Sequence, residues 1–218
     1  KLCYYKNYII IEHDYQFVSG PGNGRNPYVF SGAVVPTMFK HRLDFYKNAK
    51  AIFFQTELQK SLFEKNDVEG TFISMSTTPY STEEFKFFRD LVVKCGGPKT
   101  RRFAVMESNK EIKNTKGAVD YCINSKLDFD LIPPLDRASF LEKLSEYSAL
   151  VFFPFTPESC SRLATEARIL GLNLITPPIY GAPLEPWYKL TGMELVDELE
   201  RITLEKSIPA IQSFLPNE

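Results

Sequence analysis

The sequence predicts an α/β fold built from two parallel-sheet units. Short apolar runs alternate with amphipathic stretches of helical spacing along most of the 218 residues. Such alternation is typical of right-handed crossovers between parallel strands. The triplet Gly96-Gly97-Pro98 cannot continue a helix and interrupts the alternation. We therefore expect a first unit at 1–97 and a second unit from residue 98 onward.

The first unit begins with a strand at 8–11, because Ile9, Ile10 and Ile11 form the continuous β-branched run of a strand buried on both faces. A loop rich in glycine and proline follows at 19–27. Further strands are predicted at 51–54 and 71–75, and helices at 37–48, 57–65 and 82–94, the last capped by Ser81 or Thr82 with Glu84 behind it. With three clear strands, this unit is expected to be small or truncated.

The second unit is expected to be a nearly complete sheet at 98–198. Its predicted strands lie at 102–106, 129–132, 149–153 and 173–176, with helices at 115–124, 137–147 and 158–170. From residue 184 the pattern is helical, with breaks at Pro186 and Pro209. The C-terminal segment 199–218 carries an apolar stripe at helical spacing, so its helix is expected to pack on a sheet, either that of the second unit or that of the first.

Composition excludes several classes of protein. The net charge is −1, so no global positive field would draw the chain to nucleic acid. No apolar stretch reaches the roughly 20 residues of a membrane span, and no secretory signal is visible. Four scattered cysteines and two histidines are too sparse for a zinc cage. We expect a cytoplasmic protein with free thiols and no metal site.

The strongest candidate site is the loop that follows the predicted strand at 149–153. Thr156 and Pro157 suit the start of a helix, whose free N–H groups from Glu158 through Ser161 would face the strand ends and bind phosphate or sugar hydroxyls. In that helix Glu158 and Glu166 would lie two turns apart, roughly 12 Å along the axis. The alternative is an ordinary helix start with a solvated Glu166.

The pattern Pro-x-x-Pro-Glu-Ser-x-Ser-x-x-x-x-Glu-Ala at 154–167, followed by Gly-Leu-Asn-Leu-Ile-Thr at 171–176, resembles the donor-site segment of GT-B retaining glycosyltransferases of the family 4 (group 1) type. The resemblance implies two Rossmann-like units facing a cleft, with the C-terminal helix at 199–218 crossing back to the first unit. It implies that Glu158 contacts hydroxyls of the transferred sugar and that Glu166 holds the ribose of the nucleotide. The neighbouring residues Ser159, Cys160 and Ser161 would line the same donor site.

A second candidate loop follows the strand at 102–106. Between 98 and 126 there are seven basic residues against three acidic ones, an excess that suits a pyrophosphate. Lys116-Gly117 resembles the Lys-Gly pair that opens the following helix in this family, whereas Ser108-Asn109-Lys110 replaces the family's Gly-Arg. Which cation holds the diphosphate is therefore open between Lys110 and Lys116, and solvated surface lysines are the alternative. The resemblance also assigns Asn114 to the nucleotide and implies that Pro133 flanks its base, with a rigid turn at Pro133-Pro134 as the alternative.

In the first unit, Glu12-His13-Asp14 follows the isoleucine-rich strand, so these side chains lie at a carboxyl end. The resemblance implies that a histidine of the N-terminal domain lines the sugar pocket, and His13 is the candidate. A structural histidine is the alternative.

The resemblance implies a metal-independent transfer of a sugar from a nucleoside-diphosphate sugar, the donor substrate, to a carbohydrate or other hydroxyl acceptor with retention. Glu158, Lys116 and His13 would be its catalytic residues, and no further cofactor is expected. The first unit would face the acceptor, and its edge strand suggests a homodimer. Two alternatives stay open: a non-catalytic nucleotide-sugar-binding module, and an epimerase or phosphorylase of the same fold.

Overall fold

The computed structural model describes residues 7–15, 40–96, 100–155, 158–177 and 181–215, and it confirms an α/β architecture with two parallel sheets. The strands are β1 (Ile9–Glu12), β2 (Ala51–Phe54), β3 (Phe72–Ser74), β4 (Phe103–Met106), β5 (Phe129–Ile132), β6 (Ala149–Val151) and β7 (Asn173–Ile175). The helices are α1 (Lys40–Lys47), α2 (Glu57–Lys65), α3 (Thr82–Cys95), α4 (Thr115–Asn124), α5 (Arg137–Leu144), α6 (Arg162–Ile169), α7 (Gly192–Ile202) and α8 (Ile208–Gln212). The predicted loop at 19–27, Gly97, Pro98, Thr156 and Pro157 lie outside the described residues.

The first sheet has the order β1-β2-β3, with all its pairs parallel. Its central strand β2 is buried on both faces, which explains why its four residues are all apolar. Phe54 packs on Phe63 of α2 with ring centroids 4.7 Å apart. Ala51 and Phe53 face the opposite side, where they contact the C-terminal helix.

The second sheet has the order β5-β4-β6-β7, also parallel throughout. Successive strands lie on opposite sides of β4, because β5 flanks one edge of it and β6 the other. In an open parallel sheet, such a reversal opens a crevice at the carboxyl ends of the two central strands, and ligands bind there. The loops that follow β4 and β6 therefore meet at the switch point of this sheet.

Helix α3 packs in the core of the second sheet, although it precedes the expected boundary at residue 97. Phe85, Phe88 and Leu91 join the same buried cluster as Leu150 and Leu199. The helix ends at Gly96, whose φ of 60° is the left-handed conformation that favours glycine at a helix end.

The C-terminal helical segment runs from the second unit to the first. Between α7 and α8 the helix widens into a π-turn over Thr203–Ser207, just before Pro209, which has no N–H to donate to the preceding turn. Beyond it, Ala210, Ile211 and Phe214 pack on the first sheet, and the ring of Phe214 lies 5.9 Å from that of Phe53.

Two predicted helices differ from the observed ones. The helix expected at 158–170 begins only at Arg162, because Ser161 adopts a φ of 41° and caps the helix with its hydroxyl. Residues Glu158 to Ser161 are therefore a loop, and Glu158 and Glu166 do not share one helix. The helix expected at 137–147 ends at Leu144.

Candidate functional site

The candidate site is a cleft of about 540 Å³ between the two units. Residues from the carboxyl ends of β1 and β2 line one wall, and residues from the loop after β6 and the start of α6 line the other. The lining side chains include Ile11, His13, Asp14, Gln55, Thr78 and Pro79 of the first unit and Lys113, Glu158, Ser159, Ser161, Arg162 and Leu163 of the second.

The two loops at the switch point of the second sheet are tied to each other. The side-chain amide of Asn114 donates to the Phe153 carbonyl at 2.8 Å, and the Phe155 N–H donates to the Ile112 carbonyl at 3.1 Å. Asn114 has a φ of 50° and also caps α4 by accepting from the Gly117 N–H. These bonds fix the short turn Glu111–Lys113 against the loop that follows β6.

Glu158 and Lys113 form an ion pair inside the cleft. Lys113 Nζ lies 3.0 Å from Glu158 Oε1, and the Glu158 side chain is only 5% exposed. The ammonium group also lies 5.3 Å from the centre of the Phe152 ring. A carboxylate and a cation are thus held side by side at the switch point, where one can accept from hydroxyl groups and the other can bind phosphate.

Ser159 connects the cleft wall of the second unit to the first unit. Its buried hydroxyl lies 2.5 Å from the His13 carbonyl oxygen and also contacts the Gln55 side-chain amide. Its own carbonyl accepts from the Thr56 hydroxyl at 3.1 Å. The other end of the Gln55 amide lies 3.1 Å from His13 Nδ1. His13 is therefore held at the cleft by contacts with both units.

Glu166 is a buried residue of α6 and is not among the residues described as lining the cleft. Its carboxylate accepts from Arg137 Nε at 3.1 Å and from Arg137 Nη2 at 2.6 Å, and Arg162 Nε lies 3.6 Å away. Both arginines also bind Glu84, so two guanidinium groups and two carboxylates neutralise each other. Burial raises the pKa of Glu166, and the two arginines lower it only in part.

The predicted diphosphate residues lie in a smaller pocket of about 330 Å³ rather than beside Glu158. Lys110, Asn114 and Lys116 line this pocket together with the exposed Phe155. The Lys116 ammonium is 2.5 Å from Asp120, and its side chain is 85% exposed. The structure therefore separates Lys116 from the pair of Glu158 and His13.

The remaining predicted residues have different surroundings. Cys160 is fully buried in the core of the second unit, and burial raises the pKa of its thiol, which disfavours the thiolate. Ser161 lines the cleft and caps α6. Pro133 is exposed after the edge strand β5 and is not among the residues described as lining the cleft.

The cleft residues that sequence reasoning missed include Lys113, Gln55 and Arg162. Gln55 directly follows β2, so the rule that located His13 at a strand end would also have located it. Lys113 belongs to the basic stretch, but its one-turn helix has no periodicity that distinguishes it from Lys110. Arg162 follows the expected start of its helix, and only the later observed start places it at the mouth of the cleft.

No group of three or more His, Cys, Asp or Glu side chains among the described residues is arranged to hold a metal ion. None of the helices in this part of the chain is both long enough and apolar enough to cross a bilayer.

The sequence matches no protein-family model, and no curated protein matches it. Among solved structures, the chain is similar to WaaG, a glycosyltransferase involved in lipopolysaccharide biosynthesis, with 15% identity and a TM-score of 0.44 over 82% of this chain and 61% of that chain. It is also similar to the trehalose-6-phosphate synthase OtsA, with 11% identity and a TM-score of 0.47 over 95% of this chain and 61% of that one. An apo structure of OtsA matches with 13% identity and a TM-score of 0.45, over 96% and 68% of the two chains.

The chain thus spans about three-fifths of the length of the first two of these structures. At such low identity, none of the likenesses assigns a role to a residue of this chain.

Proposed function

We propose that the chain binds a nucleoside-diphosphate sugar in the cleft and transfers the sugar to a hydroxyl acceptor with retention and without a metal ion. The observation that carries the proposal is the pair of Glu158 and Lys113 at the switch point of the second sheet. A diphosphate needs a fixed positive charge, and a sugar needs a fixed acceptor for its hydroxyls. This pair supplies both within one hydrogen-bond distance.

In the proposed reaction, the bond between the anomeric carbon and the diphosphate oxygen breaks, and the acceptor oxygen bonds to the same face of that carbon. The acceptor proton passes to the leaving diphosphate, so no side chain has to act as a nucleophile. Lys113 would stabilise the charge that develops on the leaving group, which is the main electrostatic demand of such a step. Glu158 would accept from sugar hydroxyls, and His13 would contact the sugar from the opposite wall.

The ribose role expected for Glu166 stays a prediction. Its carboxylate is engaged by Arg137, so a ribose hydroxyl could reach it only after that contact rearranged. The diphosphate roles of Lys110 and Lys116 also stay predictions, because these lysines line the smaller pocket of about 330 Å³ and not the cleft.

The proposal is tested by calorimetric titration with nucleoside diphosphates and their sugar conjugates, followed by an assay of donor hydrolysis and transfer. Binding with turnover supports a transferase, and binding without turnover indicates a binding module. Absence of binding to every nucleotide and nucleotide sugar contradicts both.

The variant Glu158→Gln tests whether the sugar of the donor binds at Glu158. It should lose the preference for nucleotide sugars over the bare nucleotide, because an amide oxygen accepts a weaker hydrogen bond from a hydroxyl group than a carboxylate oxygen does. The matched control is Glu107→Gln, whose exposed carboxyl group follows β4 at the same edge of the sheet but is not among the described lining residues. Equal effects of the two substitutions would remove Glu158 from the proposal.

A further inference from the structure

The hydroxyl group of Ser159 has one proton and two close oxygen neighbours. It lies 2.5 Å from the His13 carbonyl oxygen and also contacts Oε1 of the Gln55 side-chain amide, which is oriented with Nε2 at 3.1 Å from His13 Nδ1. A backbone carbonyl can only accept, so it takes the hydroxyl proton. The contact between the Ser159 oxygen and the Gln55 oxygen then has no proton of its own.

Rotation of the Gln55 amide by 180° exchanges its oxygen and nitrogen and gives each of the three contacts one donor and one acceptor. The amide N–H then donates to Ser159 Oγ, and Ser159 donates to the His13 carbonyl. The amide oxygen now faces His13 Nδ1, which must carry a proton to bond with it. We propose that Gln55 and Ser159 are positioning residues that hold His13 as the Nδ1–H tautomer, with Nε2 as the ring acceptor.

A second glutamine fixes the two chain segments that carry this set of bonds. The Gln59 side chain donates from Nε2 to the Asp14 carbonyl at 2.6 Å and accepts the Gln55 backbone N–H at 2.9 Å. Gln55 and Ser159 are at most 6% exposed, so water does not compete freely for these bonds. Unlike them, His13 is exposed at the cleft.

This tautomer determines which ligand groups His13 can recognise. Neutral Nε2 with a lone pair accepts from a hydroxyl or an N–H, whereas the other tautomer would donate to a phosphate or carbonyl oxygen. The expected ligand group at His13 is therefore a sugar hydroxyl that donates its proton, a conclusion that rests on the proposed function. The tautomer itself does not depend on any ligand.

The test is long-range ¹H–¹⁵N NMR of the imidazole rings in alkaline buffer, where the two nitrogens of a neutral ring have distinct shifts. The chain has two histidines, so His41→Gln leaves His13 as the sole source of signal. We expect a protonated Nδ1 and an unprotonated Nε2. A protonated Nε2, or an equal mixture of the two tautomers, overturns the inference whether or not a nucleotide sugar binds.

Variants of Gln55 test its positioning role in the same spectra. Gln55→Glu keeps an acceptor opposite Nδ1 and should keep the tautomer, whereas Gln55→Met should give a mixture. The matched control is Gln212→Met, on the exposed face of α8, which should leave the spectrum unchanged. A single tautomer retained in Gln55→Met would show that another group sets it.

Ligand binding supplies a separate readout. Gln55→Met should weaken nucleotide-sugar binding about three- to tenfold, the range for one lost hydrogen bond, and leave bare nucleotide binding unchanged. Equal weakening for both ligands would contradict the assignment of a sugar hydroxyl to His13.

Discussion

Glu158 is a buried carboxylate that lines the cleft, and Lys113 neutralises its charge. Lys113 therefore contributes to stability as well as to the proposed binding of a ligand. Lys113→Met removes the cation 3.0 Å from a side chain that is 5% exposed. We expect the free energy of unfolding to fall by about 1–3 kcal/mol, as for loss of a charged hydrogen-bond partner. Urea denaturation measures this.

The double variant Lys113→Met/Glu158→Gln measures how strongly the two side chains interact with each other, apart from their contacts with other residues. It should recover part of the loss, because the carboxylate that lost its lysine is gone as well. If the two single effects simply add, the ion pair does not couple the residues in solution.

Glu166 gives a pH-dependent prediction. Burial raises its pKa above the ordinary 4.5, and Arg137 and Arg162 lower it only in part. Between the two pKa values the unfolded chain binds fewer protons, so this carboxyl group makes the free energy of unfolding fall as the pH rises. Glu166→Gln lacks that contribution.

We therefore expect the stability of Glu166→Gln minus that of the parent to increase as the pH rises from about 4.5. Denaturant titrations at a series of pH values measure the difference. A difference that is constant, or that decreases over this interval, would show that the arginines and not burial dominate at Glu166.

At the residue scale, the sequence located candidate residues by one rule, that polar side chains gather at the carboxyl ends of parallel strands. This rule brought His13 and Glu158 to one cleft. It did not distinguish Lys113 from Lys110 and Lys116, because the turn Glu111–Lys113 separates Lys113 from Lys110 and the left-handed Asn114 separates it from Lys116. No local pattern of charge or hydrophobicity encodes that turn.

At the scale of elements, α3 has the most complete end signals. Ser81 accepts from the Glu84 N–H, and the Glu84 side chain accepts from the Ser81 N–H, which is a capping box. Ser81→Ala should lower the free energy of unfolding by about 1 kcal/mol. The control is Ser61→Ala, an exposed serine within α2 that donates only to the Leu58 carbonyl of its own helix. Equal thermal and urea midpoints in the two variants would contradict the role of the cap.

These end signals explain why α3 was predicted closely and α6 was not. The capping serine and the terminal glycine of α3 directly flank the helix in the sequence, at Ser81 and Gly96. The start of α6 depends on contacts from elsewhere in the chain, because the Glu158 carbonyl accepts the Gly181 N–H and the Ser159 carbonyl accepts the Thr56 hydroxyl. Both carbonyls are thereby used outside a helix, and local sequence could not reveal this.

At the scale of the whole molecule, Gly181 lies where the two units are in close contact. A Cβ atom at this position would lie 2.1 Å from the Ser159 carbonyl oxygen and 2.2 Å from Thr56 Oγ1. Its φ of −76° suits alanine, so the conflict is purely one of space. Gly181→Ala should therefore cost about 1–3 kcal/mol and separate the cleft walls.

Urea denaturation and the radius of gyration from small-angle scattering measure these two effects of Gly181→Ala. The control is Gly70→Ala, where the new Cβ would meet the terminal methyl of Ile52, 2.8 Å away, and side-chain atoms of Phe72. An unchanged radius together with an unchanged stability would show that the units do not touch at Gly181 in solution.

The strands that the structure describes in each unit could be predicted from apolar runs alone. The unit that α3 joins could not, because its apolar face would fit either sheet. The choice follows from tertiary contacts such as those of Phe88 and Leu199 in one core. Similarly, the stripe on the last helix indicated burial, but only packing shows that Phe214 covers Phe53.

Among the described residues, the chain passes between the units after β3 and after α7, and these two connections lie side by side. The Ser207 hydroxyl donates to the Met75 carbonyl at 3.2 Å, and Lys206 Nζ donates to Ser76 Oγ at 2.5 Å. Two adjacent connections form a hinge axis about which one unit can rotate against the other. The indole of Trp187, the only tryptophan, donates to the Ser76 carbonyl at 2.6 Å on this axis. A rotation of one unit against the other would therefore change the surroundings of this single indole. The emission wavelength of tryptophan fluorescence would report that rotation directly.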